Sequence, residues 1–186
     1  MIISQVDIYT IDVPFGQPLK VTIGTMYGAE NVAVKITTDS GLVGWGEASP
    51  CAYIVGDTQQ TNYQTGQQLA QLMIGKDPLA IEARMTEING YIVREASIRS
   101  AFDMALYDIA AKAANMPLYQ FLGGERREIR TDLTIGMQAT VEQTVEAAKV
   151  ILGNGFDAIK MKVGRPGLED VAHVKAVREL AGPDVH

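Results

Sequence analysis

Apolar and polar residues alternate through residues 2–13 with the period of two that marks a strand. Two further runs, Asn31–Thr38 and Leu42–Ala48, flank Asp39-Ser40-Gly41. A glycine there supplies the positive φ of a tight hairpin, so the three runs predict a three-stranded antiparallel meander. From Thr58 the period lengthens. Leu69, Leu72 and Met73 close a polar, glutamine-rich helix, and Pro78 is placed to open a second one through Ile81, Met85 and Ile88. The third helix is the best marked: Ile98, Ala101, Phe102, Ala105, Leu106, Ile109 and Ala113 share one face, Asp108 stands four residues before Lys112, and Pro117 stops the run. Beyond Gly123-Gly124 and the charged stretch Glu125–Arg130 the rhythm becomes strand, helix, strand, helix. Thr131–Met137 and Ala158–Gly164 are the strands. The first helix opens on Thr140-Val-Glu-Gln143, which has capping-box spacing, and runs to Gly153-Asn154-Gly155. Leu168, Val171, Val174 and Val177 mark the second, which Gly182-Pro183 ends.

The change of rhythm puts a boundary near residue 128. The expected fold class is an α+β domain, the meander plus helices, over residues 1–128, followed over 129–186 by two βα units of a parallel sheet. Two parallel strands cannot bury both their faces, so the second part reads as the incomplete start of a larger α/β domain.

Composition narrows the function more than the fold. The 186 residues are 47% hydrophobic with a net charge of −6, which suits a cored globular chain and disfavours nucleic acid as a partner. No apolar run is long enough to span a bilayer and the N-terminus lacks the layout of a secretory signal, so a cytoplasmic protein without a membrane partner is expected. One cysteine and two histidines leave no zinc cluster and no serine-type triad. Val163-Gly-Arg-Pro-Gly167 lacks the Gly-Lys-Ser/Thr ending of a phosphate loop. Chemistry therefore falls to carboxylates and lysines.

Ala158-Ile-Lys-Met-Lys-Val-Gly164 places Lys160 and Lys162 on one face of a strand, with Ile159, Met161 and Val163 on the other. Two ammonium groups about 6–7 Å apart repel by on the order of 2.5 kcal/mol at an effective dielectric of about 20, which favours release of one proton and creates a general base. Lysines at a strand end that simply reach into solvent are the plain alternative.

Longer motifs tip the balance. Ser100-Ala-Phe-Asp-Met-Ala-Leu-Tyr-Asp-Ile-Ala-Ala-Lys112 with Pro117-Leu-Tyr-Gln-Phe-Leu-Gly-Gly124, then Gly44-Trp-Gly-Glu47 and Lys160-Met-Lys162, resemble the mandelate racemase/muconate lactonizing branch of the enolase superfamily. Thr131-Asp-Leu-Thr134 with Ile159–Gly164 is most similar to dipeptide (L-Ala-D/L-Glu) epimerases. The resemblance implies a capping domain and the first two βα units of a modified TIM barrel. It implies Mg²⁺ as cofactor, a small-molecule carboxylate, a dipeptide, as substrate, and a homo-oligomer. Catalysis would run by abstraction of the proton α to the carboxylate through an enediolate, with Lys162 as base and Lys160 as positive charge beside the carboxylate. The metal ligands and the opposite-face acid/base are expected beyond His186, none within this chain. Muconate cycloisomerases and o-succinylbenzoate synthase-like lyases share much of the pattern, and a non-catalytic binding or assembly module remains the alternative of another class.

In such enzymes two loops of the capping domain close over substrate, here Gly16–Asn31 and Ser49–Thr58. Met26, Tyr53 and Ile54 are the candidate substrate contacts on them, and Thr134 is the candidate at its strand end. Glu47 is expected to be structural, with the neighbouring glycines allowing close backbone approach and Trp45 packed nearby. Asp103 and Asp108, five apart on one helix, do not face each other. Cys51 is expected as a small buried residue and His173 as a solvated one.

Overall fold

Strand character runs further than the alternation predicts. In the computed structural model, which describes residues 1–21 and 24–186, strands β1 (Ile3–Val21), β2 (Gly24–Thr38) and β3 (Val43–Ala48) form one sheet in the order β1-β2-β3. β2 and β3 pair antiparallel, Lys35 opposite Trp45 and Val34 opposite Gly46, around a turn in which Gly41 takes φ +83°. The segment Gly16–Asn31, expected as a loop, is thus strand on both sides of Thr22 and Ile23, which lie outside the described residues. Met26 is accordingly a half-buried strand residue of β2.

The described residues form two compact units, Met1–Phe15 with Gly28–Arg126 and Gly16–Tyr27 with Arg127–His186. In the first, helices α1 (Gln59–Met73), α2 (Ile81–Tyr91) and α3 (Ala96–Ala113) cover the sheet, followed by the short α4 (Leu118–Phe121). Thr58 caps α1, its hydroxyl accepting from the Thr61 amide. α2 begins at Ile81 behind Ala80, so Pro78 stands three residues short of the first helical position expected for it. α3 buries Ile98, Ala101, Phe102, Ala105, Leu106 and Ile109 against Val34, Ile36, Leu69 and Met73. Ala113, expected on that face, is exposed because it is the last helical residue.

The contact of α3 with β3 is backbone against backbone. A Cβ on Gly44 would stand 2.1 Å from the Ala105 carbonyl oxygen, and one on Gly46 1.8 Å from that of Ala101. Glycine on the strand and alanine on the helix are what this approach requires. Among the described residues β3 has no strand on its other side, and α3 supplies what such a strand would: Asp108 Oδ2 accepts from the Trp45 amide at 2.9 Å, and Lys112 Nζ donates to the Val43 carbonyl at 2.7 Å. Asp108 and Lys112 also pair with each other at 2.7 Å, the interaction their spacing predicts. The free edge is blunted by a helix.

The second unit carries β4 (Leu133–Ile135), α5 (Val141–Gly153), β5 (Ile159–Met161) and α6 (Glu169–Ala181), with β4 and β5 parallel. Both strands are shorter than predicted; among the described residues each is paired on one side only. Thr140 caps α5 through the Gln143 amide, while the Gln143 side chain accepts from the Ala139 amide rather than returning to Thr140, so the box is only half closed. Ile135, Ala148, Ile151 and Val177 form the core here, with Phe156, Ile159 and Met161 packed on it. Of the four residues that mark α6 in the sequence only Val177 is buried; Leu168, Val171 and Val174 are exposed. His173 takes the inner position instead. It is buried, and its Nδ1 lies 2.7 Å from the Thr144 hydroxyl, which corrects its expected place in solvent. Cys51, expected to be buried, is half-buried.

Candidate functional site

Pairing of β4 with β5 sets Thr134 beside Lys160 in register, and the Lys162 amide donates to the Ile135 carbonyl at 3.1 Å, one step past the end of β5. Ile135, Ile159 and Met161 point at the helices. Alternation then turns Thr134, Lys160 and Lys162 together to the face that α5 and α6 do not cover. Lys160 is exposed, and Thr134 and Lys162 are half-buried. Thr134 stands mid-strand rather than at a strand end. Thr134 also borders an open cleft of about 930 Å³ with Leu19 and Met137 and, on α5, Glu146, Val150 and Ile151, all within the second unit; Lys160 and Lys162 do not line that cleft.

The loop after Lys162 is held tightly. The amides of Gly164 and Arg165 both donate to Asp170 Oδ2, at 2.7 and 2.8 Å, and the Arg165 guanidinium donates to Asp170 Oδ1 at 2.7 Å. The same guanidinium reaches the Gln138 carbonyl in the loop after β4. These bonds, the Gly164 amide first, hold the Asp170 carboxyl below its usual range. Arg165, Asp170 and Gln138 did not emerge from the sequence. The one signal was an acid in the first turn of a helix behind a Gly-Arg-Pro-Gly loop, where helix capping is an equally good reading.

Of the other expected contacts, Met26 belongs to the second unit with Thr134 and the lysines. Tyr53 and Ile54 belong to the first unit, on a turn in which the Cys51 carbonyl accepts from the Ile54 and Val55 amides. They are 78% and 75% exposed. That turn is anchored at its far end. Asp57 Oδ2 accepts from the Ser97 amide at 3.2 Å at the start of α3, and Glu95, at φ +60°, accepts from Asn62 Nδ2 at 2.6 Å and from the Thr61 hydroxyl at 3.1 Å.

No group of three or more His, Cys, Asp or Glu side chains is placed to hold a metal among the described residues. Asp103 and Asp108 are not a pair: burial pushes the Asp103 carboxyl up, while Asp108 is engaged by Trp45 and Lys112. Glu47 accepts from Asn31 Nδ2 at 2.6 Å within the sheet, the structural place expected of it. Trp45 pairs with Tyr9, ring centroids 6.0 Å apart, and lies 5.8 Å below the Lys35 ammonium. No helix among the described residues is long and apolar enough to cross a membrane.

Comparison with known proteins gives this geometry its context. Residues 5–123 match the family model of the mandelate racemase/muconate lactonizing enzyme N-terminal domain. Among curated proteins the chain is 39% identical to a D-Ala-D/L-Ala epimerase of Cytophaga hutchinsonii over 186 residues, all of this chain and 50% of that protein. It is 36% identical to an L-Ala-D/L-Glu epimerase of Bacillus subtilis, again over the whole chain and 51% of the relative. The chain thus spans about half the length of the curated relatives it matches. Among solved structures, the dipeptide epimerase from Cytophaga hutchinsonii complexed with Mg and the dipeptide D-Ala-L-Val superposes with a TM-score of 0.95 at 39% identity, covering all of this chain and 50% of that one. The observed architecture is the capping α+β domain followed by the first two βα units of a barrel.

Proposed function

The chain belongs to the mandelate racemase/muconate lactonizing enzyme family, and on that premise we propose that the complete protein is an isomerase that removes the proton α to a carboxylate, with a dipeptide as the substrate to be epimerised. The observation that carries this reading is the shared, helix-free face of Thr134, Lys160 and Lys162 on parallel strands. Catalytic groups of such barrels stand at the C-terminal strand ends, where Lys162 lies. The amine of Lys162 takes the α-proton, and the electron pair of the broken C–H bond moves into the carboxylate to give an enediolate. Return of a proton to the opposite face inverts the centre. Lys160, one pleat back on the same face, offsets the charge gathering on the carboxylate, and Thr134 lies beside it as a substrate contact. Met26, Tyr53 and Ile54 are proposed as contacts that choose among substrates.

The domains in this reading are a cap of residues 1–128 and a barrel opening at 129–186. Mg²⁺ belongs to the complete protein, in keeping with the relatives crystallised with it. The described residues do not build its site, and no step is assigned to it. In the complete enzyme, Lys162→Ala is expected to abolish exchange of the substrate α-proton with D₂O for the epimer it deprotonates, a loss of about 10³-fold or more, followed by proton NMR. Exchange at the wild-type rate in that variant removes Lys162 from the mechanism.

A further inference from the structure

Among the described residues neither lysine has a side-chain hydrogen-bond or ion-pair partner, yet the backbone around Lys162 is fixed on both sides. Its amide is tied to β4 through the Ile135 carbonyl, and two and three residues later the Gly164 and Arg165 amides converge on one oxygen of Asp170. Gly164 takes φ +139°, a conformation that the paired amides stabilise in the loop. Arg165 completes a clasp, with one arm on the other Asp170 oxygen and one on the Gln138 carbonyl, so the loops leaving β4 and β5 are joined through a single guanidinium. The Arg165 and Asp170 side chains are only 15% and 18% exposed, which protects the ion pair from competition by water. Asp170 sits in the first turn of α6, where the free amides of the helix start and its dipole favour a carboxylate, so the anchor point is itself rigid.

Building on the function proposed above, we propose that Asp170 and Arg165 are positioning residues that hold Lys162 on its side of the substrate α-carbon. Neither touches the reacting atoms. They act by fixing where the strand ends and therefore where the Lys162 amine is carried. A base displaced by about 1 Å loses on the order of 10²-fold in rate, because the reacting atoms fall outside attack distance.

An epimerase offers a test that a general structural role cannot imitate. Lys162 deprotonates one epimer and the opposite-face base deprotonates the other, so α-proton exchange in D₂O measured on each epimer separately reads the two bases in one preparation. In the complete enzyme, Asp170→Asn is expected to slow exchange of the Lys162-side epimer by about 10- to 100-fold while the other epimer keeps its rate to within about two-fold. The ratio between epimers is independent of the folded fraction. Arg165→Met is the second variant should Asp170→Asn yield too little protein, and it is expected to shift the ratio in the same direction. Equal losses for the two epimers, or no loss for either, overturn the proposal. Lys162→Ala run in parallel separates the two levels: selective loss there with no change in the clasp variants sinks the positioning role alone, whereas no loss in Lys162→Ala sinks the assignment of the base on which it rests.

Discussion

Gly46 shows how much a missing methyl group decides. Its absent Cβ is what lets the Ala101 carbonyl come within reach of the strand, and at 1.8 Å no rotamer change relieves the clash, because the obstacle is backbone. Gly46→Ala is therefore expected to destabilise the first unit by about 3 kcal/mol or more, above the usual range for small-to-large changes. Urea denaturation checks this; a loss below about 1 kcal/mol would mean that α3 slides along β3 at little cost. Gly41→Ala meets no atom within 4 Å and is strained only through its φ of +83°. It is expected to cost about 1 kcal/mol, which separates conformational from steric need for glycine within one hairpin. The glycine pattern Gly44-Trp-Gly-Glu47 was readable in the sequence as a close-approach motif, but its partner was not. Nothing in the chain before residue 100 says which alanines will meet it.

Elements with a strong period were legible, and those decided by partners were not. α3 and α5 fall where their apolar spacing and caps put them. β1 outruns its alternation, running on to Val21 with β2 as its neighbour in the sheet, through residues whose pattern alone reads as loop. His173 reads as solvated on an outer helix, yet Thr144 on α5 offers its buried ring a hydroxyl across the packed pair. The strand proposed to carry the base was legible as Lys-x-Lys, whereas its clasp was hidden, since Arg165 bridges Asp170 and Gln138 only once both loops are built.

Helix α2 carries a pH dependence of its own. Hydrogen bonds from Arg84 and then Lys76 hold the Glu87 carboxyl down at about 2, against an ordinary 4.5. A lowered folded-state value means that the contribution is complete above about pH 4.5 and is lost as pH falls towards 2. With the Glu87 side chain 33% exposed, solvent screening limits it to about 0.5–1 kcal/mol. Glu87→Gln is expected to lower stability at pH 7 by that amount and to flatten the decline between pH 4.5 and 2. Urea midpoints across that range decide it, and parallel curves for the two proteins would count against the ion-pair account.

Taken whole, the 186 residues are unevenly finished. The first unit closes its sheet with α3, whereas among the described residues β4 and β5 each keep an unpaired edge, and Val150, Val163 and Leu168 are 63%, 54% and 82% exposed. Open edges and apolar surface of this kind favour association. The 186-residue chain by itself is expected to self-associate in sedimentation, to bind Mg²⁺ more weakly than about 1 mM and to show no epimerase activity. A compact monomer in the ultracentrifuge, or tight Mg²⁺ binding by calorimetry, would contradict this. The closure of the first unit also sets a clock. The Val43 carbonyl waits for Lys112, 69 positions later, so on the ribosome the new edge stays unguarded for roughly 3–14 s at synthesis rates of 5–20 residues per second. Chaperones that shield exposed strands have that interval in which to act.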